Sequence, residues 1–251
     1  MKRLNLYGER FGGLYRVMSR NEERPRLVAY GQNAEDVVLM RAFADRRDGF
    51  FVEVGAGEPV RGSLTKNLVD RLGWQGINIE PLPERFERLR RERPGDVNLQ
   101  LAIDTVPGTA TFYRILPEGQ PPDMLGLSTL EMTIAEGYLH HGAEVEELEV
   151  TAVTLESVLS AHAVPGFDLL KVDVEGREAA VLASVDLTFW RPRVVVAEAT
   201  VPGSPEPNHE EWEEDLLVAG YAFALFDGLN RFYARDDEPE LLTRLSVPAN
   251  V

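Results

Sequence analysis

Five acidic residues stand where short apolar runs give out. They are Glu53 in Phe51-Val52-Glu53-Val54-Gly55-Ala56-Gly57, Glu80 in Ile77-Asn78-Ile79-Glu80-Pro81, Asp104 after Ala102-Ile103, Asp173 in Leu170-Lys171-Val172-Asp173-Val174-Glu175-Gly176, and Glu198 after Val194-Val195-Val196-Ala197. In open α/β sheets ligands bind beyond the carboxyl ends of the strands. The Gly55-Ala56-Gly57 turn lets backbone approach such a ligand with no Cβ in the way. A dinucleotide pyrophosphate suits the pattern poorly: the third glycine of that fingerprint would fall at Val60, Glu58-Pro59 delay the helix, and Glu53 and Glu58 would repel a doubly anionic group. A sulfonium and an ammonium beside a single carboxylate reverse the sign, and S-adenosylmethionine is the cofactor that carries them. Glu53 is then placed for the amino group, Glu80 for the ribose hydroxyls, Ala102 and Ile103 for the adenine ring, and Asp104 for its exocyclic amine. The backbone of Gly55, Ala56 and Gly57 forms the turn, and Gln32, Ser63, Thr65, Pro81 and Asp173 complete the candidate cofactor set. The alternative for Glu53 and Glu80 is that both are merely solvated strand ends.

A hydroxyl that receives a methyl group must approach opposite the sulfur and lose its proton, so positioning and a base share the work. The chain has no cysteine, which leaves that proton to a carboxylate or a histidine. Asp173 is the first candidate, with Glu198 and His209 as base or substrate-orienting groups and Lys171 as a cation able to tune them. An idle, exposed His209 is the alternative. Oxygen ligands from Asp173 and Glu198, with Asp227 as a third, would suit a divalent cation. Glu175 can equally serve the following helix as a cap. His140 and His141, being adjacent, point apart and make a poor metal site. Gly126-Leu127-Ser128-Thr129 lacks the second glycine of a hydrolase elbow and reads as part of an active-site lid. Gln32 and Asp36 are expected to close over the cofactor, with helix capping as the alternative for Asp36, and Trp212 is expected in the core.

The elements that must hold these residues alternate strand and helix. Asn33 and Asp36 predict a capped helix ending near Gly49, then a strand over Phe50–Val54, a helix capped by Ser63 and closed by Gly73, a second strand to Pro81, and a helix over 83–93. A third strand is expected over 97–103. The stretch 104–149 is an irregular insert with strands at 109–115 and 146–153. A Thr154-capped helix, a strand over 167–172, a helix over 177–185 and a strand over 193–198 resume the rhythm. Asn208 and Glu211 form a capping box, and 221–226 with 231–234 form a hairpin around Asp227-Gly228-Leu229-Asn230. The predicted fold is α/β, a doubly wound, mostly parallel sheet with an antiparallel C-terminal hairpin. One domain over 30–251 follows a basic arm over 1–29.

Composition narrows the function classes. The 251 residues carry 26 Lys+Arg against 42 Asp+Glu, a net charge of −16, and 44% are hydrophobic, enough for a core. Such a charge opposes nucleic-acid backbones and anionic membranes. No apolar run reaches membrane-spanning length, and the charged N-terminus is unlike a signal peptide, so a cytoplasmic protein is expected. Residues 1–26 hold seven basic and three acidic side chains. That arm is free to fold back, to dock on a second subunit of a homo-oligomer, or to fray.

Five blocks in order resemble the FkbM-type methyltransferases: Tyr30-Gly31-Gln32-Asn33-Ala34-Glu35-Asp36, Phe51 to Gly57, Gly73-Trp74-Gln75-Gly76-Ile77-Asn78-Ile79-Glu80-Pro81, Leu170 to Gly176, and Asp227-Gly228-Leu229-Asn230-Arg231-Phe232-Tyr233. The resemblance implies a class I S-adenosylmethionine-dependent fold and O-methylation of a small hydroxylated acceptor such as a sugar, a polyketide or another secondary metabolite. It also raises Asp227 and Asn230 as substrate-side residues. Glu58-Pro59 departs from the family pattern, in which glycine follows an acid or amide, and predicts a stiffer loop. A nicotinamide-dependent oxidoreductase or epimerase, and a non-catalytic cofactor-binding module, are the alternatives.

Overall fold

The computed structural model describes residues 15–16, 28–117, 119 and 126–249. Most of the basic arm, and Pro121 and Pro122 of the insert, lie outside the described residues. A two-residue ladder joins β1 (Tyr15–Arg16) to β2 (Val28–Ala29). Then follow α1 (Glu35–Ala42), β3 (Phe50–Val54), α2 (Lys66–Leu72), β4 (Gln75–Ile79), α3 (Pro83–Glu92) and β5 (Val97–Leu99). The insert contributes β6 (Ala102–Ile103), β7 (Gly108–Leu116), α4 (Met132–His140) and β8 (Glu144–Val153). After it come α5 (Leu155–His162), β9 (Leu169–Val172), α6 (Glu178–Ala183), α7 (Leu187–Trp190), β10 (Val194–Glu198), α8 (Glu213–Val218), β11 (Tyr221–Phe226), β12 (Asn230–Arg235) and α9 (Pro239–Leu245).

The main sheet runs β11-β12-β10-β9-β3-β4-β5. Its five central and right-hand strands are parallel, while β12 is antiparallel to both β10 and β11. This is the doubly wound sheet with an antiparallel hairpin that the alternation predicts. Successive side chains of a strand face opposite ways. Val52, Val54, Leu170, Val172, Val195 and Ala197 therefore pack on α5 and α6, while Phe51, Leu169, Val194 and Val196 pack on α1, α2 and α9. Burial on both faces explains why these strands read as continuous apolar runs. The chain leaves β5 at one edge and returns to β9 beside β3, so the order reverses between β3 and β9. There Asp173 N–H donates to the Val54 carbonyl at 3.0 Å, bringing two strand ends together.

Several local expectations change. The N-cap of α1 is Ala34, with φ 62° and no side-chain cap, and the helix ends at Ala42. Asp36 instead accepts the Tyr30 and Gly31 N–H groups and the Asn67 amide, so it holds the turn rather than capping the helix or closing over a ligand. Helix α2 starts at Lys66, three residues beyond Ser63, without a side-chain cap. The strand expected over 97–103 splits: β5 joins the main sheet, and β6 joins a second sheet of order β6-β8-β7. Asn208 caps nothing; a 3-10 turn over His209–Glu211 precedes α8. Thr154 does cap α5, accepting the Ser157 N–H at 3.2 Å. Helices α4, α7 and α9 are additions to the predicted set. Among the described residues no helix is long and apolar enough to cross a membrane.

Candidate active site

A cavity of about 780 Å³ opens at the carboxyl ends of the parallel strands, at the β3/β9 switch point. Its floor is the glycine turn. Gly55 has φ 75°, and both its N–H and that of Ala56 donate to the Ile79 carbonyl at 3.0 Å. Gly57 N–H donates to Glu80 Oε2 and Leu82 N–H to Glu80 Oε1, each at 2.9 Å. One carboxylate thus braces the turns after β3 and β4, and each oxygen keeps a lone pair for a diol on the cavity side. Burial pushes the Glu80 pKa up, against the pull of Arg85 and the two N–H donors. Among the described residues a Cβ added to Gly57 would meet no atom within 4 Å, leaving that side of the turn open. Gln32, Pro81, Ala102 and Ile103, the further cofactor-side candidates, also line the cavity.

The far end of the turn is charged. Lys171 lies opposite Glu53 in the β3–β9 register, and its Nζ reaches the Gly55 carbonyl at 2.7 Å and Asp173 Oδ2 at 3.1 Å. Burial disfavours its charge, but Asp173, Glu53 and Glu198 outweigh that effect and raise its pKa. Asp173, Glu175 and Glu198 bring carboxylate oxygens within 4.8 Å of one another. Burial foremost, then Asp173, pushes the pKa of both Glu175 and Glu198 well above the ordinary carboxylate range. Glu198 is 5% exposed, and among the described residues its Oε2 has no hydrogen-bond partner. Three carboxyl groups with one ammonium form a site that gains from added positive charge. That orphaned oxygen and the open glycine turn fit a cofactor carrying a sulfonium.

Other predicted residues are not brought to the cavity. Glu53 is buried beneath the turn, because strand alternation puts it on the Phe51 face; its Oε2 accepts the Thr65 hydroxyl at 2.8 Å. Ser63 accepts Arg93 Nη2 at 2.9 Å, so Glu53, Ser63 and Thr65 support the turn from behind instead of lining the cavity. Asp104 turns to Arg177, whose Nη2 lies 2.7 Å away, and it is Arg177 that faces the cavity. His209 stands 3.7 Å from Glu213 beside the Trp212 ring and does not line the cavity. Trp212 is core, at 2% exposure. Asp227 does not join the acidic cluster; its Oδ1 accepts the Leu229 and Asn230 N–H groups at 2.9 and 2.7 Å and holds the hairpin turn. Asn230 donates to Glu35 Oε1, which ties that turn to the start of α1. His140 and His141 bond the carbonyls of Glu136 and Gly137 through Nδ1.

Helix α6 has no side-chain cap; Glu178 instead holds the turn before it, accepting the Val174 and Gly176 N–H groups, and burial, above all, pushes its pKa up to about 7. Glu175 has φ 55° and lines the cavity. Gly126, Leu127 and Ser128 of the insert line it as well. Residues the sequence did not single out, among them Arg85, Thr200 and Ser204, reach it from a helix and a loop whose packing no local signal announces.

The Methyltransferase FkbM domain matches residues 53–223. A 31-O-demethyl-FK506 methyltransferase, FkbM, of Streptomyces tacrolimicus is 33% identical over 154 residues; the match covers 52% of this chain and 59% of that protein's length. Among solved structures, a TehB-like S-adenosylmethionine-dependent methyltransferase from Corynebacterium glutamicum aligns with a TM-score of 0.41 and 10% identity, covering 80% of this chain and 87% of the other. A precorrin-6y C5,15-methyltransferase from Geobacter metallireducens gives 0.41 and 13%, covering 81% and 87%. The match over residues 53–223, laid on the glycine turn and the strand ends described above, makes the chain a member of the FkbM methyltransferase family.

Proposed function

We propose that this S-adenosylmethionine-dependent methyltransferase acts on a hydroxyl oxygen of a small polyhydroxylated metabolite, a sugar or a glycosylated or polyketide product. The observation that carries the reading is the carboxylate cluster of Asp173, Glu175 and Glu198 beside the glycine turn, with the Lys171 ammonium 3.1 Å from Asp173. The cofactor, when bound, supplies an electrophilic methyl: the acceptor's O–C bond forms as the S–C bond breaks, and the electron pair stays on sulfur. The chain's own residues orient the acceptor and take its proton. Tyr30, Thr200 and Ser204, which line the cavity, offer neutral hydrogen-bonding groups suited to an acceptor's hydroxyls. Asp173 is the carboxylate placed to accept the proton, because its side chain is 34% exposed while Glu198 lies deeper. The relative that methylates 31-O-demethyl-FK506 supports an oxygen acceptor.

The test is incubation of the protein with S-adenosylmethionine and a panel of glycosides, free polyols and polyketide alcohols, with mass spectrometry of products. An O-methyl product together with S-adenosylhomocysteine is the expected result. Firm cofactor binding with no product from any hydroxyl would favour a non-catalytic module, and tight NAD binding alone would favour an oxidoreductase. A divalent cation held by the same three carboxylates is a second reading, favoured by carboxylate oxygens that lie within 4.8 Å of one another. Undiminished turnover in EDTA would remove it.

A further inference from the structure

The Arg177 guanidinium joins two distant points of the insert to the loop after β9. Its Nη1 donates to Glu131 Oε1, just before α4, and its Nη2 to Asp104 Oδ1, just after β6, each at 2.7 Å. A rigid planar fork that donates to two carboxylates fixes them relative to each other, which the point charge of a lysine does not do. Neighbouring contacts follow the same seam. Thr129 Oγ1 donates to the Glu175 carbonyl at 2.8 Å, and the Thr129 backbone exchanges hydrogen bonds with Tyr113 on β7. A Cβ on Gly176 would collide with Ile134 Cδ1 and one on Gly203 with the Tyr138 hydroxyl, so α4 is keyed into the loops after β9 and β10. The wall held by this seam is apolar. Phe112, Leu127 and Leu130 of the insert line the cavity, as do Ala102 and Ile103, and the sheet β6-β8-β7 carries Ile103 and Phe112 on one framework. Such a wall suits a flat heteroaromatic ring.

We propose that Arg177 is a positioning residue that clamps the insert, through Glu131 and Asp104, to the loop after β9 and so shapes the adenine end of the cofactor site. This rests on the reading that Ala102 and Ile103 border the adenine. Asp104 then serves the clamp instead of the exocyclic amine, and the insert is a wall of the cofactor site as well as a lid. When the clamp is open, the wall is in place in only a fraction of the molecules, and affinity for anything bearing the adenine falls by that fraction.

Calorimetric titration of the wild-type protein, Arg177→Gln, Glu131→Gln and the double variant tests this without any acceptor, with S-adenosylmethionine, S-adenosylhomocysteine and 5′-methylthioadenosine as ligands and limited thermolysin digestion alongside. Each single variant should be cut several-fold faster within the insert. Each should also bind all three ligands roughly tenfold more weakly, the factor that one hydrogen bond between charged groups supports, because the ligands share the adenosine. The double variant should lose little more than Arg177→Gln, since both substitutions open one contact. Weakening by Arg177→Gln with Glu131→Gln unchanged in both assays would make the guanidinium a direct ligand contact and overturn the inference, as would a loss confined to one of the three ligands. Unchanged cleavage would overturn it by removing the clamp, whereas faster cleavage with unchanged affinities would overturn it by placing the adenine elsewhere. The hydroxyl acceptor takes no part in these measurements, so a protein that methylates no hydroxyl would lose the proposed acceptor chemistry and leave the clamp standing.

Discussion

The Lys171 ammonium lies 3.1 Å from the Asp173 carboxylate while also donating to the Gly55 carbonyl, so one buried cation joins the cofactor turn to the carboxylate at the next strand end. Glu53, its neighbour across the β3–β9 pair, and Glu198 add to its charge environment. Replacing it by Met would leave those acids uncompensated. A broken buried pair costs about 3–5 kcal/mol; with Asp173 one-third exposed, about 2 kcal/mol is expected after solvent screening. Denaturant unfolding of Lys171→Met should show that loss, and Lys171→Arg should recover only part of it, since the wider guanidinium must fit where Nζ reaches a single carbonyl.

Gly55 tolerates no side chain. A Cβ there would sit 1.7 Å from the Asp173 carbonyl oxygen, and its φ of 75° adds strain for any L-residue. Relief requires β3 and β9 to move apart at their ends, where the cavity begins. Gly55→Ala should weaken S-adenosylmethionine binding by roughly a hundredfold or more, the size of a penalty near 3 kcal/mol. Gly57→Ala probes the other side of the same turn: its Cβ would meet open cavity, so the protein should melt with a smaller loss while cofactor binding still falls. Equal behaviour of the two variants in calorimetry and melting would contradict this picture.

The sheet was legible because Phe50–Val54, 167–172 and 193–198 are apolar on both faces, and such runs leave few alternatives. Thr154 was legible as a cap because its partner, Ser157, is three residues away. Residues whose placement depends on distant partners were not. Asp104 meets Arg177 from across the insert, and Glu53 meets Thr65 just before the next helix, so neither reaches the cavity that its position in the sequence suggested. Strand alternation was a usable signal for Glu53, since it must share a face with Phe51 and oppose Val52 and Val54. Helix α4 has no side-chain cap and contains Gly137, so nothing local marks its start, and its fit against Gly176 and Gly203 is wholly tertiary.

Asp173 separates chemistry from binding. On the proposed reading the glycine turn and Glu80, joined by the Gly57 N–H, face the cofactor, whereas Asp173 stands beside Glu175 and Glu198. A positioned base contributes about 10²- to 10⁴-fold. Asp173→Ala should lower kcat by that order on any accepted hydroxyl, with cofactor affinity falling no more than a few-fold. Loss of cofactor binding in calorimetry would instead assign Asp173 to the cofactor.

Glu35 sets a pH dependence away from the chemistry. Its Oε1 accepts the Asn230 side chain and its Oε2 the Asn33 N–H, both at 2.9 Å, clasping the turn that carries Gln32 to the C-terminal hairpin. Burial first, then Asp227, raises its pKa from 4.5 to about 7. Below pH 4.5 the carboxyl is protonated in both the folded and the unfolded chain, and no difference arises. As pH rises from there towards 7 the unfolded chain releases the proton while the folded one retains it, so stability falls, and the loss is complete above about 7. At about 1.4 kcal/mol per pH unit the window is worth about 3 kcal/mol. Glu35→Gln removes the charge and keeps an oxygen for one donor, and the Asn230 amide can flip to serve the new NH₂. The variant should match the wild type near pH 4.5 and exceed its stability at pH 8. Glu178, also near 7, adds the same slope to both proteins, so the difference between the two melting curves isolates Glu35. A difference that does not grow between pH 4.5 and 8 would place the proton elsewhere.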